Sequence, residues 1–173
     1  MPDRSKTGGK RAGHRRWAAR NGVIPGGNRG DVMSAATRSA LMSRIRGKDT
    51  KPERLLAEQL EGCGLKFERH AKDLAGTPDI VFRSERVVVF VDGDFWHGWR
   101  FPLWKGKLTP SWQEKIEATR RRDARNFRRL RYQGWTVVRI WEHQVESDLA
   151  RCASRIMEVV ARPSGCEAAG DAK

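Results

Sequence analysis

The sequence is short of several things, and each shortage excludes a class of protein. Its three cysteines, Cys63, Cys152 and Cys166, stand scattered among 173 residues. An odd number without CxxC spacing gives neither a disulfide framework nor a thiolate zinc site, and reads as reduced thiols of a cytosolic protein. No apolar run approaches the ~18 residues of a membrane span, and the opening MPDRSKTGGK has no signal-peptide core. A basic amphipathic helix with a clean apolar face is missing too, which makes a membrane surface a poor partner. No internal repeat stands out. Acid is the scarcer charge: 21 Asp and Glu against 35 Lys and Arg leave a net charge of +14. A field of that sign favours a polyanion, and nucleic acid is the commonest one inside a cell.

What is present falls into three stretches. Residues 1–35 are rich in Gly, Arg and Lys with almost no aliphatic periodicity, which predicts a disordered basic tail able to lie along phosphates. Residues 162–173 read as a flexible end. The folded domain, residues 36–161, shows an α, β-hairpin, α, β, α pattern, which is an α/β class with a small mixed sheet flanked by helices. TKPE at 50–53 opens a helix carrying Leu55, Leu56 and Leu60, ended by Gly62 and Gly64. DIVF and RVVVFV are short β-branched runs joined by RSE, a hairpin signal. A long helix follows from a Ser111–Glu114 capping box to Gly134. WTVVRIWE is a strand, with Trp135 and Trp141 assigned to packing, and 145–161 a last helix.

The hairpin carries the chemistry. With its turn centred near Glu85, Asp79 falls opposite Val91, so Asp79 and Asp92 meet at one end although thirteen positions separate them. Two adjacent carboxylates repel unless a cation lies between them. Mg²⁺ suits such a pair, since it takes oxygen ligands and usually adds phosphate oxygens. His97 follows closely, with an ordinary pKa suited to taking a proton from water. Glu53 can be read as a helix cap or as a supporting acid. Asp123 lies on the stripe Ile116, Thr119, Asp123, Phe127, Leu130, whose spacing faces inward. A carboxylate there must be paired, either with one of the surrounding arginines or as a group that orients His97. Phe95, Trp96, Trp99, Phe101 and Trp104 follow no sustained period, with Trp112 close behind. Aromatics in a loop beside a charged site can wedge between base pairs. These features point to a metal-dependent phosphodiesterase. Pro78-Asp79 is followed by Asp92-Gly93-Asp94 with no lysine at the last position of a PD-(D/E)xK signature, which leaves His97 to handle the water. A restriction-like or homing-type enzyme cutting matched DNA, or a DNA-binding module without catalysis, fits the charge as well.

The segments ATRS at 36–39, DTKPE at 49–53, GTPDIVF at 76–82, GDFWH at 93–97, RRD at 121–123 and GWTVVRIWE at 134–142 together resemble the very-short-patch-repair (Vsr) endonucleases. The resemblance covers about Ala36 to Glu142. It implies a fold similar to type II restriction enzymes and Mg²⁺-dependent nicking of duplex DNA 5′ to the thymine of a T:G mismatch. It implies a protein acting on double-stranded DNA as a monomer in the bacterial cytoplasm, at the nucleoid. By position it makes Asp79 the central metal-binding aspartate, with the Val91 carbonyl as companion ligand, and His97 the general base supported by Glu53 and Asp123. Phe95, Trp96 and Trp112 correspond to aromatics wedged beside the mismatch, and Met42 to a residue inserted from the opposite groove. Two positions depart from enterobacterial members. Asp92 replaces a second histidine and becomes a possible extra metal ligand. Asp94, Trp99, Phe101 and His143 occupy the place of a structural zinc site, so no zinc is expected and Trp99 and Phe101 are expected to pack there instead.

Overall fold

The computed structural model describes residues 48–162. The basic N-terminal stretch, Met42 and the C-terminal end lie outside the described residues. Helix α1, Lys51–Gly62, starts after Thr50 with Pro52 in its first turn and buries Glu53, Leu56, Ala57 and Leu60 on one face. Proline is tolerated there because the first helical N–H groups have no intrahelical partner. The expected cap is half formed: the Thr50 hydroxyl donates to Glu53 Oε1 at 2.7 Å, while Thr50 accepts no backbone bond with its side chain.

Three antiparallel strands follow, β1 (Glu68–Arg69), β2 (Ile80–Phe82) and β3 (Val87–Asp92), and β4 (Thr136–Trp141) joins β3 in parallel, giving the order β1-β2-β3-β4. The hairpin is real, but its register differs from the sequence expectation. Ile80 pairs with Val89, Val81 with Val88 and Phe82 with Val87. That is one residue short of a turn centred on Glu85, because Arg83–Arg86 forms a four-residue turn closed by Arg86 N–H to Arg83 O at 3.3 Å. Continuing the observed pairing sets Asp79 opposite Phe90 instead of Val91. Past the paired residues the regular ladder ends: Asp79 N–H donates to Val89 O at 3.0 Å and its carboxylate accepts the Val91 N–H at 2.7 Å, which keeps Asp79 against the end of β3 just before Asp92.

The helix that links β3 to β4, α2 (Pro110–Tyr132), starts two residues before the expected capping box, with Pro110 behind Thr109, and buries Ile116, Asp123, Phe127 and Leu130. It stops where Gly134 turns left-handed, φ +79°, and Trp135 N–H reaches back to Leu130 O at 3.0 Å. Glycine takes that conformation without a Cβ clash. The last expected helix is two: α3 (Glu142–Ser147) and α4 (Leu149–Val160). Asp148 breaks them, since its carboxylate accepts the Arg151 N–H at 2.9 Å and caps the second.

The strands are buried on both faces, which is why VVVFV reads as a continuous apolar run instead of an alternation. Ile80, Phe82, Val87, Val89, Val91, Val138 and Ile140 pack with Leu56, Leu60, Val145 and Ile156 of α1, α3 and α4. Val81, Val88 and Phe90 pack with Phe127 and Leu130 of α2, with Trp135 alongside. The result is a mixed sheet between two helical layers. Asp92 and Asp123 belong to the α2 side.

Candidate active site

Two groups of polar side chains gather where β2 and β3 emerge toward α2. In the first, Asp79 accepts the Val91 N–H on Oδ2 at 2.7 Å. Burial pushes its carboxyl up to about 7, against the Val91 hydrogen bond, and the nearby charges of Glu53 and Asp92 push the same way. Glu53 is 5% exposed, and its Oε2 has no hydrogen-bond partner. A buried carboxylate oxygen left unpaired is costly. A divalent cation relieves both the mutual repulsion and the orphaned oxygen, so the donor set fits Mg²⁺, a hard ion that takes carboxylates and carbonyls.

The second group is built on His97, which sits in the turn after β3. Its Nδ1 lies 2.6 Å from Asp123 Oδ2 and 3.3 Å from Asp92 Oδ1. Asp123 is reached from α2 and also meets Arg122 Nη2 at 3.2 Å and Arg139 Nη2 at 3.4 Å. Burial raises Asp123, but the hydrogen bond and charge of His97, with Arg122, outweigh it and leave the carboxyl below its ordinary value. Asp92 goes the other way: burial raises it, opposed by His97 and Arg139. Asp123 thus contacts the imidazole and two arginines at once. With Nδ1 as the donor to carboxylate, Nε2 carries the lone pair and can accept a proton.

Gly98 makes this turn possible. Its φ is +69°, and a Cβ there would lie 2.8 Å from Arg120 Cδ and 3.0 Å from Ile116 Cγ2. The chain thus presses against α2 just after His97, which brings the ring to Asp123.

The aromatics separate into two sets. Phe101 and Trp104 are buried, 1% and 2% exposed, and Trp104 Nε1–H donates to Trp99 O at 2.7 Å. They are packing residues, unlike the loop aromatics they resemble in sequence. Phe95, Trp96 and Trp112 are partly exposed and touch one another at centroid distances of 5.3–5.7 Å. Lys115 Nζ lies over Trp96 and Trp112 at 5.5 and 5.1 Å. Phe95 stacks on Trp104 at 5.7 Å, so the exposed set rests on a buried ring. Trp99 packs against Trp141 and His143, at 4.9 and 4.8 Å, and Asp94, 1% exposed, pairs with His143 Nδ1 at 2.7 Å.

Asp79 and Glu53 are thus neighbours, while Asp92, His97 and Asp123 form a separate cluster whose ligand atoms all lie within 4.8 Å of one another. Asp92 lies near Asp79 at the end of β3, but its carboxylate is held by Arg139 Nε and His97. Two residues escaped the sequence reading. Arg139 bonds Asp92 and lies over the Trp141 and Phe127 rings, at 4.1 and 5.2 Å. The signal was a lone charge in an apolar strand, on the face it shares with Val137 and Trp141 and opposite Val138 and Ile140. His70 lies 3.0 Å from Asp49 Oδ1 and 3.8 Å from Asp79 Oδ1. Nothing in its local sequence marked it.

A small mixed sheet between helices, with buried carboxylates and a carboxylate-anchored histidine at one sheet end of a strongly basic chain, defines an α/β nuclease of the restriction-endonuclease kind. The comparisons agree. The family described as DNA mismatch endonuclease Vsr matches residues 30–102. The type II nicking enzyme V.XorIIP of Xanthomonas oryzae pv. oryzae is 41% identical over 134 residues, 75% of this chain and 96% of that protein. The DNA mismatch endonuclease Vsr of Escherichia coli K12 is 41% identical over 114 residues, 65% of this chain and 73% of that protein. The type II nicking enzyme V.NmeDIP of Neisseria meningitidis serogroup C is 33% identical over 138 residues, 78% and 93%. The chain belongs to the Vsr DNA mismatch endonuclease family: it is a DNA endonuclease, and its substrate is DNA.

Proposed function

We propose that the protein nicks one strand of duplex DNA at a T:G-type mismatch, as a Mg²⁺-dependent monomer in very short patch repair. The observation that carries this reading is the placement of His97, anchored by Asp123, in the same turn as the partly exposed Phe95–Trp96 pair. One turn would thus bring a proton acceptor and a base-stacking wedge to the same place on the duplex.

Asp79 and the Val91 carbonyl, with Glu53 beside them, would hold Mg²⁺, which when bound supplies Lewis-acid polarisation of the scissile phosphate and offsets its charge. His97 Nε2 accepts the proton of the attacking water. Asp123, held below its ordinary carboxylate range, stays ionised and stabilises the imidazolium that forms. Asp92 faces the same nitrogen at 3.3 Å, and Arg139 holds both carboxylates. Phe95, Trp96 and Trp112 stack into an already weakened pair, because a mismatch costs less to open than a matched pair.

The test is a nicking assay over all mispairs and matched pairs in random flanks, with and without Mg²⁺. Selective, metal-dependent nicking at T:G is expected. A second reading has its own support: V.XorIIP and V.NmeDIP are named type II nicking enzymes. Equal rates on paired and mispaired sites within one sequence context would select it.

A further inference from the structure

We propose that Arg139 is a positioning residue: by holding Asp92, it leaves the His97 ring to Asp123 alone. Two carboxylates face one ring nitrogen. His97 Nδ1 lies 2.6 Å from Asp123 Oδ2 and 3.3 Å from Asp92 Oδ1. A single N–H makes one well-aligned hydrogen bond, which weakens steeply as it bends toward a second acceptor. Asp92 and Asp123 are both buried, 5% and 6% exposed, so water does little to blunt either. Without a partner of its own, Asp92 competes for the proton that orients the ring.

Arg139 breaks the tie. It stands on β4 two residues before Trp141, the strand partner of Asp92, and therefore on the same face of the sheet as that pair. Its Nε donates to Asp92 Oδ2, whereas its Nη2 reaches Asp123 Oδ2 only at 3.4 Å. The guanidinium thus holds Asp92 more closely, and Asp123 Oδ2 keeps its short contact with the imidazole. Arg122 Nη2 meets the other oxygen of Asp123 at 3.2 Å. Aromatic faces fix the fork, whose central carbon lies 4.1 Å from the Trp141 ring centroid and 5.2 Å from that of Phe127. Behind it, Arg155 Nη1 donates to the Arg139 carbonyl at 3.3 Å. A planar guanidinium stacks on such faces and offers a fixed edge to a carboxylate, which a lysine ammonium cannot do. The role rests on His97 being the proton acceptor, since a ring drawn toward Asp92 aims Nε2 elsewhere.

The test is a double-mutant cycle of Arg139→Met with Asp92→Asn in the full chain, read by single-turnover nicking and by ¹⁵N spectra of the imidazoles. In the wild-type background Arg139→Met is expected to slow nicking by about 100-fold, the cost of a displaced catalytic group, with little change in DNA binding. In the Asp92→Asn background the same change is expected to cost under about threefold, because the competing charge is gone. An equal loss in both backgrounds overturns the proposal and gives Arg139 a role of its own on the substrate. No loss in the wild-type background overturns it too. The spectra need no DNA, so they separate this result from a failure of the nuclease reading. The His97 Nδ1–H resonance is expected to shift in Arg139→Met and to return in the double variant, and a resonance that stays in place overturns the assignment. Should Arg139→Met strand the buried Asp92 charge and fold poorly, Arg139→Lys replaces it in the cycle. Its expected loss is about tenfold, again confined to the background that keeps Asp92.

Discussion

His97 Nδ1 and Asp123 Oδ2 lie 2.6 Å apart, although one sits in the turn after β3 and the other halfway along α2. With Nδ1 donating to that carboxylate, Nε2 is left with the lone pair. Asp123→Asn keeps the shape but can donate to the ring instead of accepting from it. It is expected to lower the nicking rate constant by about 10²–10⁴-fold with little change in KM. Combined with His97→Ala, the two losses should fall far short of multiplying, since they remove one device. Single-turnover nicking measures both.

Asp79 predicts a pH effect on the metal-free protein. Its carboxyl is raised from 3.8 to about 7 by burial, with Glu53 and Asp92 adding to it. Below the unfolded value both states are protonated and no cost arises. As pH rises toward 7 the unfolded chain ionises first, so the native state loses stability relative to it by up to about 1.4 kcal/mol per unit, levelling off above 7. In EDTA, Asp79→Asn should therefore melt above wild type at pH 8, with the gap closing near pH 4. Adding Mg²⁺ at pH 8 should raise the wild-type Tm and leave the variant unmoved.

The partly exposed rings should carry discrimination more than overall affinity. Trp112→Ala removes a ring that meets Phe95 and Trp96 and is expected to cost about 1–3 kcal/mol in binding a mispaired duplex, typical of one base–aromatic stack. The loss on matched DNA should be smaller. Equilibrium binding to the two duplexes at one salt concentration checks this, and equal losses would remove the wedge role.

Arg121, Arg125 and Arg128 are exposed along α2. If they meet phosphates, each change to Gln should weaken binding uniformly across sequences and lower the slope of log K against log salt by about 0.9. An unchanged slope places that arginine off the duplex.

Gly98→Ala meets Arg120 Cδ at 2.8 Å and Ile116 Cγ2 at 3.0 Å from a left-handed backbone. It is expected to lose about 1–3 kcal/mol in urea unfolding. Nicking should fall about 10²-fold, because the His97 ring is displaced from its near-attack position.

Much of this was legible in residue order because it depends on local rules. Apolar β-branched runs around a polar turn give the hairpin, a proline just after Thr50 places α1, and the inward stripe through Asp123 gives the buried face of α2. The errors have local physical reasons as well. The hairpin register slipped by one because strand pairing, unlike helix period, is set by the turn that closes it, and a four-residue turn leaves no marker in RSER. Asp148 split the last helix because a carboxylate can cap a new start as readily as it can continue an old one.

By itself the sequence determined the charge that selects a polyanion, the α/β order of elements, and which acids, histidine and aromatics were candidates for chemistry. Tertiary structure alone decided their partners. It set Asp123 on His97, gave Asp92 to Arg139, buried Phe101 and set Trp104 under Phe95, left Glu53 Oε2 unpaired and brought His70 to Asp79. The reason is range: helix period and turn chemistry act over a few residues, whereas hydrogen bonds and desolvation join groups that meet only when sheet and helices close around them.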